Sequence, residues 1–182
     1  MILSVGESKP KCFRPASAII KAVEMTDHTH SFVSWRDPRN NIRVVAEARG
    51  SGCRIVTNHT FKAENEVVRI FQYEIDEQNL IEFEKYVWEQ MGRPYGHKHL
   101  IGLLLMRTGV TESNPFRDGE CSQICVELSV RAISHAMNIP IPKHIENWGL
   151  REAHRFNMMN YKEQICDMAS PEKIRRINGV SA

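Results

Sequence analysis

Apolar and polar residues alternate along several stretches of the first half of the chain, and recur at helical spacing through most of the second. His30 to Trp35 reads as a strand, with His30, Phe32 and Ser34 on one face. Asp37-Pro38-Arg39-Asn40 is a turn signal. Ile42 to Ala48 follows as a second strand, with Arg43, Val45 and Glu47 sharing a face. Gly50-Ser51-Gly52 makes another turn before a third strand over Cys53 to Thr57. Residues 58–65 are polar and read as a loop, and Val67 to Ile75 reads as a fourth strand. The opening Ile2-Leu3-Ser4-Val5 is a short apolar run, and Lys9-Pro10-Lys11 is loop-like.

Helices are expected elsewhere. Pro15 in a first turn introduces one carrying Ile19, Ile20 and Val23. Asp76 caps a second with Leu80, Phe83, Val87 and Met91, which Gly92 and Pro94 end. A third, His97 to Met106, is apolar nearly all round and so expected to be buried. Thr108 to Arg117 is a loop leading into a fourth, which opens at Cys121 and ends near Asn138. That helix has one apolar face of Ile124, Cys125, Leu128 and Ala132 and another of Val126, Val130, Ile133 and Met137. Trp148 to Met168 is helical in flavour but irregular. The pattern fits an α+β domain over residues 1–169, with a polar, basic tail over 170–182.

Composition narrows the classes without choosing among them. The chain has 182 residues, 42% hydrophobic and 25% charged, the balance of an ordinary globular protein. A net charge of +2 argues against a nucleic-acid partner. No apolar run approaches the ~20 residues that span a bilayer, so no membrane anchor is expected. The five cysteines (Cys12, Cys53, Cys121, Cys125, Cys166) are scattered without Cys-x-x-Cys spacing. They indicate neither a disulfide framework nor a zinc ribbon, but free thiols in a reducing, cytoplasmic compartment. No cofactor and no metal are implied, and the oligomeric state is not encoded in any pattern.

Candidate chemistry centres on Asp118-Gly119-Glu120-Cys121-Ser122-Gln123-Ile124-Cys125. A thiol at the start of a buried helix faces unpaired N–H groups and the positive end of the dipole, which favour the thiolate. The alternative is a small core residue, the commonest fate of a free cysteine. Cys121 is the expected nucleophile; Cys125, one turn further in, is a competing thiol that burial would make inert. A thiol of this kind needs an imidazole to take its proton and a polar group to orient that imidazole. If Arg36 pairs with Asn41 around the four-residue loop, His30 falls opposite Glu47 on one face of neighbouring strands. A register slip of one residue would separate them.

These motifs, in this order, resemble the circularly permuted papain-like hydrolases, the YiiX-like branch of the NlpC-type peptidase superfamily. The likeness lies in the His30-Ser-Phe-Val-Ser-Trp strand, the Val45-Ala-Glu-Ala strand and the late Cys121-Ser-Gln-Ile-Cys helix, and covers roughly residues 1–137. It implies an antiparallel sheet packed on a central helix that carries the cysteine, in permuted order. It places His30 on the family's histidine, Glu47 on the acidic position and Cys121 on the nucleophile. His28 is a competing histidine, but Ser31 and the apolar strand follow His30 directly. Tyr95, in Gly92-Arg-Pro-Tyr95, resembles a Gly-x-x-Tyr segment of that family.

The expected function is a thiol hydrolase that cleaves a peptide, amide or ester substrate through an acyl-enzyme, with Cys121, His30 and Glu47 as triad. The alternatives are a peptide-binding domain of the same fold without catalysis, and a lipid-acting acyltransferase or thioesterase. Of the remaining candidates, His97 and His99 read as solvated capping residues rather than metal ligands. Cys121, Cys125 and His135 lack the complementary pair of a zinc site. Lys173, Arg175 and Arg176 read as a solvated end.

Overall fold

The computed structural model describes residues 1–12, 15–116 and 121–167. It is a mixed α+β structure built on one five-stranded sheet. The strands are β1 (Ile2–Pro10), β2 (His30–Arg36), β3 (Arg43–Arg49), β4 (Gly52–Thr57) and β5 (Asn65–Glu74). They lie in the order β4-β3-β2-β1-β5, every neighbouring pair antiparallel.

The least anticipated strand is β1, which has a partner on each side. Only its first four residues carry an apolar signal; Gly6, Glu7 and Ser8 have low strand propensity. Tertiary pairing overrides that preference, and the strand continues to Pro10, whose missing N–H suits a strand end. Gly6 is required by its neighbour: a Cβ there would lie 2.1 Å from the ring of Phe32, which covers it across the β1–β2 ladder.

Alternation divides the sheet into two faces. Leu3, Val5, Val33, Trp35, Ala46, Ala48, Phe71 and Tyr73 form the larger core. Against them lie α3 (Glu77–Gln90), α5 (Cys125–Met137) and α6 (Leu150–Asp167), contributing Phe83, Val87, Leu128 and Ile133. Each such large side chain, fully buried, contributes roughly 1.5–3 kcal/mol. On the opposite face Phe32 and Val45 pack on Phe61 of α2 (Asn58–Glu64), a helix in the stretch expected to be a loop. Phe61 is its one buried residue, too few for a visible period, and Thr57 Oγ1 accepts from the Thr60 N–H to start it.

Several other elements follow the pattern. α1 (Pro15–Glu24) begins at the proline, and Asp76 Oδ1 accepts from the Asn79 N–H at 2.7 Å to cap α3. Asn138 ends α5 in the left-handed conformation. α6 is one continuous helix rather than an irregular region. α4 (His97–Arg107) departs from expectation: Leu103 is buried, but Ile101 is exposed and Leu100, Leu104 and Leu105 are half-buried. It lies against α1 and gives one face, Leu103 and Met106, to a second core cluster with Ile124, Val126 and Leu150. No helix among the described residues is long and apolar enough to cross a membrane. The expected tail at 170–182 lies outside the described residues.

Candidate active site

The hairpin of β2 and β3 brings His30 and Glu47 together. Its register differs from the expected one by two residues: Arg36 pairs with Arg43, and Val33 with Ala46. A shift of two preserves the face, so Glu47 becomes the diagonal rather than the direct neighbour of His30. The longer side chain closes that gap, and His30 Nε2–H donates to Glu47 Oε2 at 2.7 Å. Glu47 Oε1 accepts from Arg54 Nε at 2.8 Å and Nη2 at 2.5 Å. Arg54 also reaches Glu64 at 2.8 Å, and Glu64 pairs with Arg49. Burial opposes a charge on Glu47, but the hydrogen bonds and charges of His30 and Arg54 outweigh it and hold the carboxyl at about 2. Glu47 is therefore ionised at neutral pH.

The thiol that meets His30 belongs to Cys125. With Nε2 committed to Glu47, Nδ1 is the ring nitrogen left for sulfur. Burial works against both charged forms. For His30, hydrogen bonds and charges of Cys125 and Glu47 prevail and raise it to about 9. For Cys125, the His30 hydrogen bond and charge prevail, helped by the backbone N–H groups of Ser31 and Val126, and the thiol is lowered. One helical turn on, Ser31 Oγ donates to Ser129 Oγ at 2.8 Å, tying β2 to α5 and fixing the helix start beside His30. The Tyr95 side chain lies beside the Cys125 sulfur, lining the same hollow. Burial first, then the neighbouring thiolate, raise the phenol well above its usual range, so it remains a donor.

The expectation that the helix opens at Cys121 is corrected. Cys121 is exposed, and α5 begins at Cys125. A tertiary pairing holds the intervening residues out of the helix. The Gln123 N–H donates to Pro94 O at 3.1 Å, and Gln123 O accepts from the Gly96 N–H at 3.0 Å, bridging Tyr95 to Gln123. Glu127 Oε2 then accepts from the Ile124 N–H at 3.2 Å, a carboxylate in the first turn. The preceding Asp118-Gly119-Glu120 lies outside the described residues. The signal in the sequence was the mid-segment position of Cys125 on the apolar stripe; burial alone raises a thiol, but beside Cys125 the half-buried His30 outweighs it.

The competing histidines have other partners. His28 is buried against Asp27 at 3.0 Å and Glu7 at 3.5 Å. His99, expected to be solvated, is buried, with Nε2–H donating to Glu146 O at 2.7 Å. His97 is exposed and reaches Gly50 O at 3.2 Å. Among the described residues no cluster of His, Cys, Asp or Glu could hold a metal ion.

Two hollows adjoin this constellation. A cleft of about 210 Å³ passes His30, Glu47 and Tyr95 and is bordered by Ser17 of α1 and His97 and Leu100 of α4. A smaller, apolar cavity touches Cys125 itself, between α1, α4 and the starts of α5 and α6. A buried, hydrogen-bonded thiol–imidazole–carboxylate chain at the edge of such a cleft has the makings of nucleophilic catalysis. Compared with known proteins, the chain matches no family model, and no curated protein shows significant similarity to it.

Proposed function

We propose that this chain is a thiol hydrolase of papain-like fold in permuted order, with Cys125 as nucleophile, His30 as acid–base and Glu47 as the orienting group. The observation that carries the reading is the chain Cys125–His30–Glu47. It is held from both ends, by the N–H groups of Ser31 and Val126 and by Arg54. The lowered thiol and raised imidazole favour a thiolate–imidazolium pair at neutral pH.

The Cys125 thiolate attacks an amide or ester carbonyl carbon, and the carbonyl π electrons move onto oxygen. The Tyr95 hydroxyl and the Val126 N–H are the donors nearest that developing charge. As the C–N or C–O bond breaks, His30 gives its proton to the leaving group, and the acyl group remains as a thioester. A water then attacks the thioester while His30 takes its proton; the carboxylic acid leaves and the sulfur is released as thiolate. Glu47 keeps the imidazole in one orientation through both steps and stays ionised because Arg54 shares its charge.

Limited alkylation with iodoacetamide near neutral pH, followed by mass mapping, tests this reading. Cys125 labels ahead of the more exposed Cys12 and Cys121, because thiolate content outweighs access. Preferential labelling of Cys121 would overturn it.

A further inference from the structure

Helices α1 and α4 lie side by side at the cleft and leave an apolar face uncovered. They run parallel. Ser17 and His97, near their starts, border the cleft together, and at their far ends Glu24 accepts from Arg107 Nε at 3.2 Å. Ile20 of α1 and Leu100 and Leu104 of α4 line the small cavity between the two helices. One side of α4 faces the core through His99, Gly102 and Leu103. The other side carries the exposed Ile101 and the half-buried Leu104 and Leu105, three and four residues apart, with Lys98 one turn earlier.

Helix geometry joins α1 to the same face. A step of about 100° back from Ile20, and the same step forward from Leu100, turns Ile19 and Ile101 to one side of the parallel pair. Both are half exposed, at 52% and 51%. Val23, one turn beyond Ile19, is half-buried. The exposed charge of the two helices has one sign. Glu24 is their only acid and is buried against Arg107, whereas Lys21 and Lys98 are exposed. A protein partner reads a surface through hydrogen bonds set around apolar anchors. The side chains of Ile19, Val23, Ile101, Leu104 and Leu105 offer no such bond.

We infer that this face docks the protein on an anionic lipid surface, with Ile19 and Ile101 entering the boundary between headgroups and acyl chains and Lys98 meeting the headgroups. Hydrocarbon takes up apolar side chains without directional partners, and negative headgroups suit helices whose exposed charges are all positive. Docking of this kind lies on the bilayer and needs no spanning helix, and none is found among the described residues. It sets the mouth of the cleft, at the first turns of α1 and α4, beside the lipid surface. The inference concerns where the protein works and stands whether or not Cys125 is a nucleophile.

Co-sedimentation of the full chain with vesicles tests the inference, using phosphatidylcholine alone and phosphatidylcholine with roughly 30 mol% phosphatidylserine. The partition coefficient is expected to be about fivefold or more higher on the anionic vesicles, and to fall in about 0.5 M salt. Ile19→Ser and Ile101→Ser, both at exposed positions, should each lower it by about threefold or more with the melting temperature unchanged. Lys98→Glu should weaken binding to the anionic vesicles alone. Trp88→Ser removes an equally exposed apolar side chain from α3 and should bind like wild type. Loss of binding in Lys98→Glu but in neither isoleucine variant would mean adsorption by charge alone, and would overturn the inference. Equal loss in Trp88→Ser would overturn it as well. Absence of binding to either vesicle would also overturn it, and a concentration-dependent dimer that Ile101→Ser dissociates would then name a second copy of this chain as the occupant. Cys125→Ala should dock like wild type, so the docking and the hydrolase reading fail separately.

Discussion

Among the described residues, the clusters of histidine and glutamate around Glu7 and around Glu47 differ in what surrounds them. Around Glu7, on β1, the carboxylate accepts from Arg69 at 2.7 Å and His154 at 2.6 Å, and His28 stands 3.5 Å away. Asp27 closes the ring by pairing with both Arg69 and His28. Around Glu47 the carboxylate has one arginine and one histidine, and that histidine keeps a second nitrogen for a thiol. The Glu7 cluster joins α6 to the sheet, whereas the Glu47 cluster ends at a cleft. The same residue types therefore serve as a strut in one place and as candidate chemistry in the other. What separates them is the partner at the far end of the imidazole, not the burial of the carboxylate, which is alike in both.

The sharpest way to break this comparison is to remove the thiol. Cys125→Ala should lower turnover by roughly a thousandfold or more, while costing on the order of 1 kcal/mol in a melting experiment, since only one sulfur is lost. Cys121→Ala should leave both unchanged. Equal activity of wild type and Cys125→Ala would reduce the Glu47 cluster to a second strut. Next come the two carboxylates. Glu7→Gln removes the carboxylate that Arg69 and His154 bond, while Asp27 still pairs with Arg69 and His28, and should destabilise the fold by about 1–3 kcal/mol, with kcat/KM of the folded protein preserved. Glu47→Gln should cut kcat/KM by roughly a hundredfold. If the two variants lose activity in proportion to stability alone, the clusters do not differ in kind.

The pH profile reads the same contrast. The active pair requires His30 protonated, so activity should fall as pH rises through about 9. Glu47 is among the groups that raise His30, so Glu47→Gln should move that alkaline limb to lower pH; Glu7→Gln should not. Stability adds two windows. His30 is raised when folded, so its contribution is full below 6.5 and is lost as pH rises through about 9. Glu47 is depressed, so its contribution is full above 4.5 and is lost as pH falls toward about 2. Urea midpoints of wild type and Glu47→Gln across these ranges should converge toward pH 2; a constant gap would contradict the linkage.

The legible and illegible parts of the sequence follow from the range of the forces involved. His30 and Glu47 share a face because alternation in a hairpin is a local rule, tolerant of a two-residue error in register. The Asp76 cap and the Asn138 stop are local too. The start of α5 was not legible, because it is set by the pairing of Gln123 with Tyr95, residues far apart in the chain. The same holds for β1, whose polar half is a strand only because β2 and β5 flank it. Arg54 falls under the same local rule as His30 and Glu47: with Arg49 paired to Gly52 across the Gly50-Ser51 turn, it lies directly opposite Glu47 on β4, an opposite-charge pair at hairpin spacing.

The smallest expected effect concerns Tyr95, and it refines the contrast rather than breaking it. The Glu7 cluster has no neutral donor beside a nucleophile; the Glu47 cluster has the Tyr95 phenol against Cys125 sulfur. A phenol raised well above its usual range does not titrate near neutrality, so it acts only by hydrogen bonding. In the resting state it can donate to the thiolate, which lowers the nucleophile's energy; in the transition state it can follow the charge onto the carbonyl oxygen. These contributions oppose one another, so the net effect of Tyr95→Phe should be modest, about tenfold in kcat. Binding should change less, because the phenyl ring still fills its place against Ile124 and Leu103. The iodoacetamide rate separates the two roles, since alkylation has no carbonyl oxyanion. If Tyr95→Phe slows turnover but leaves or quickens alkylation of Cys125, the hydroxyl serves the oxyanion. If it slows both alike, its work is to stabilise the thiolate, and the oxyanion must rely on the backbone at Val126.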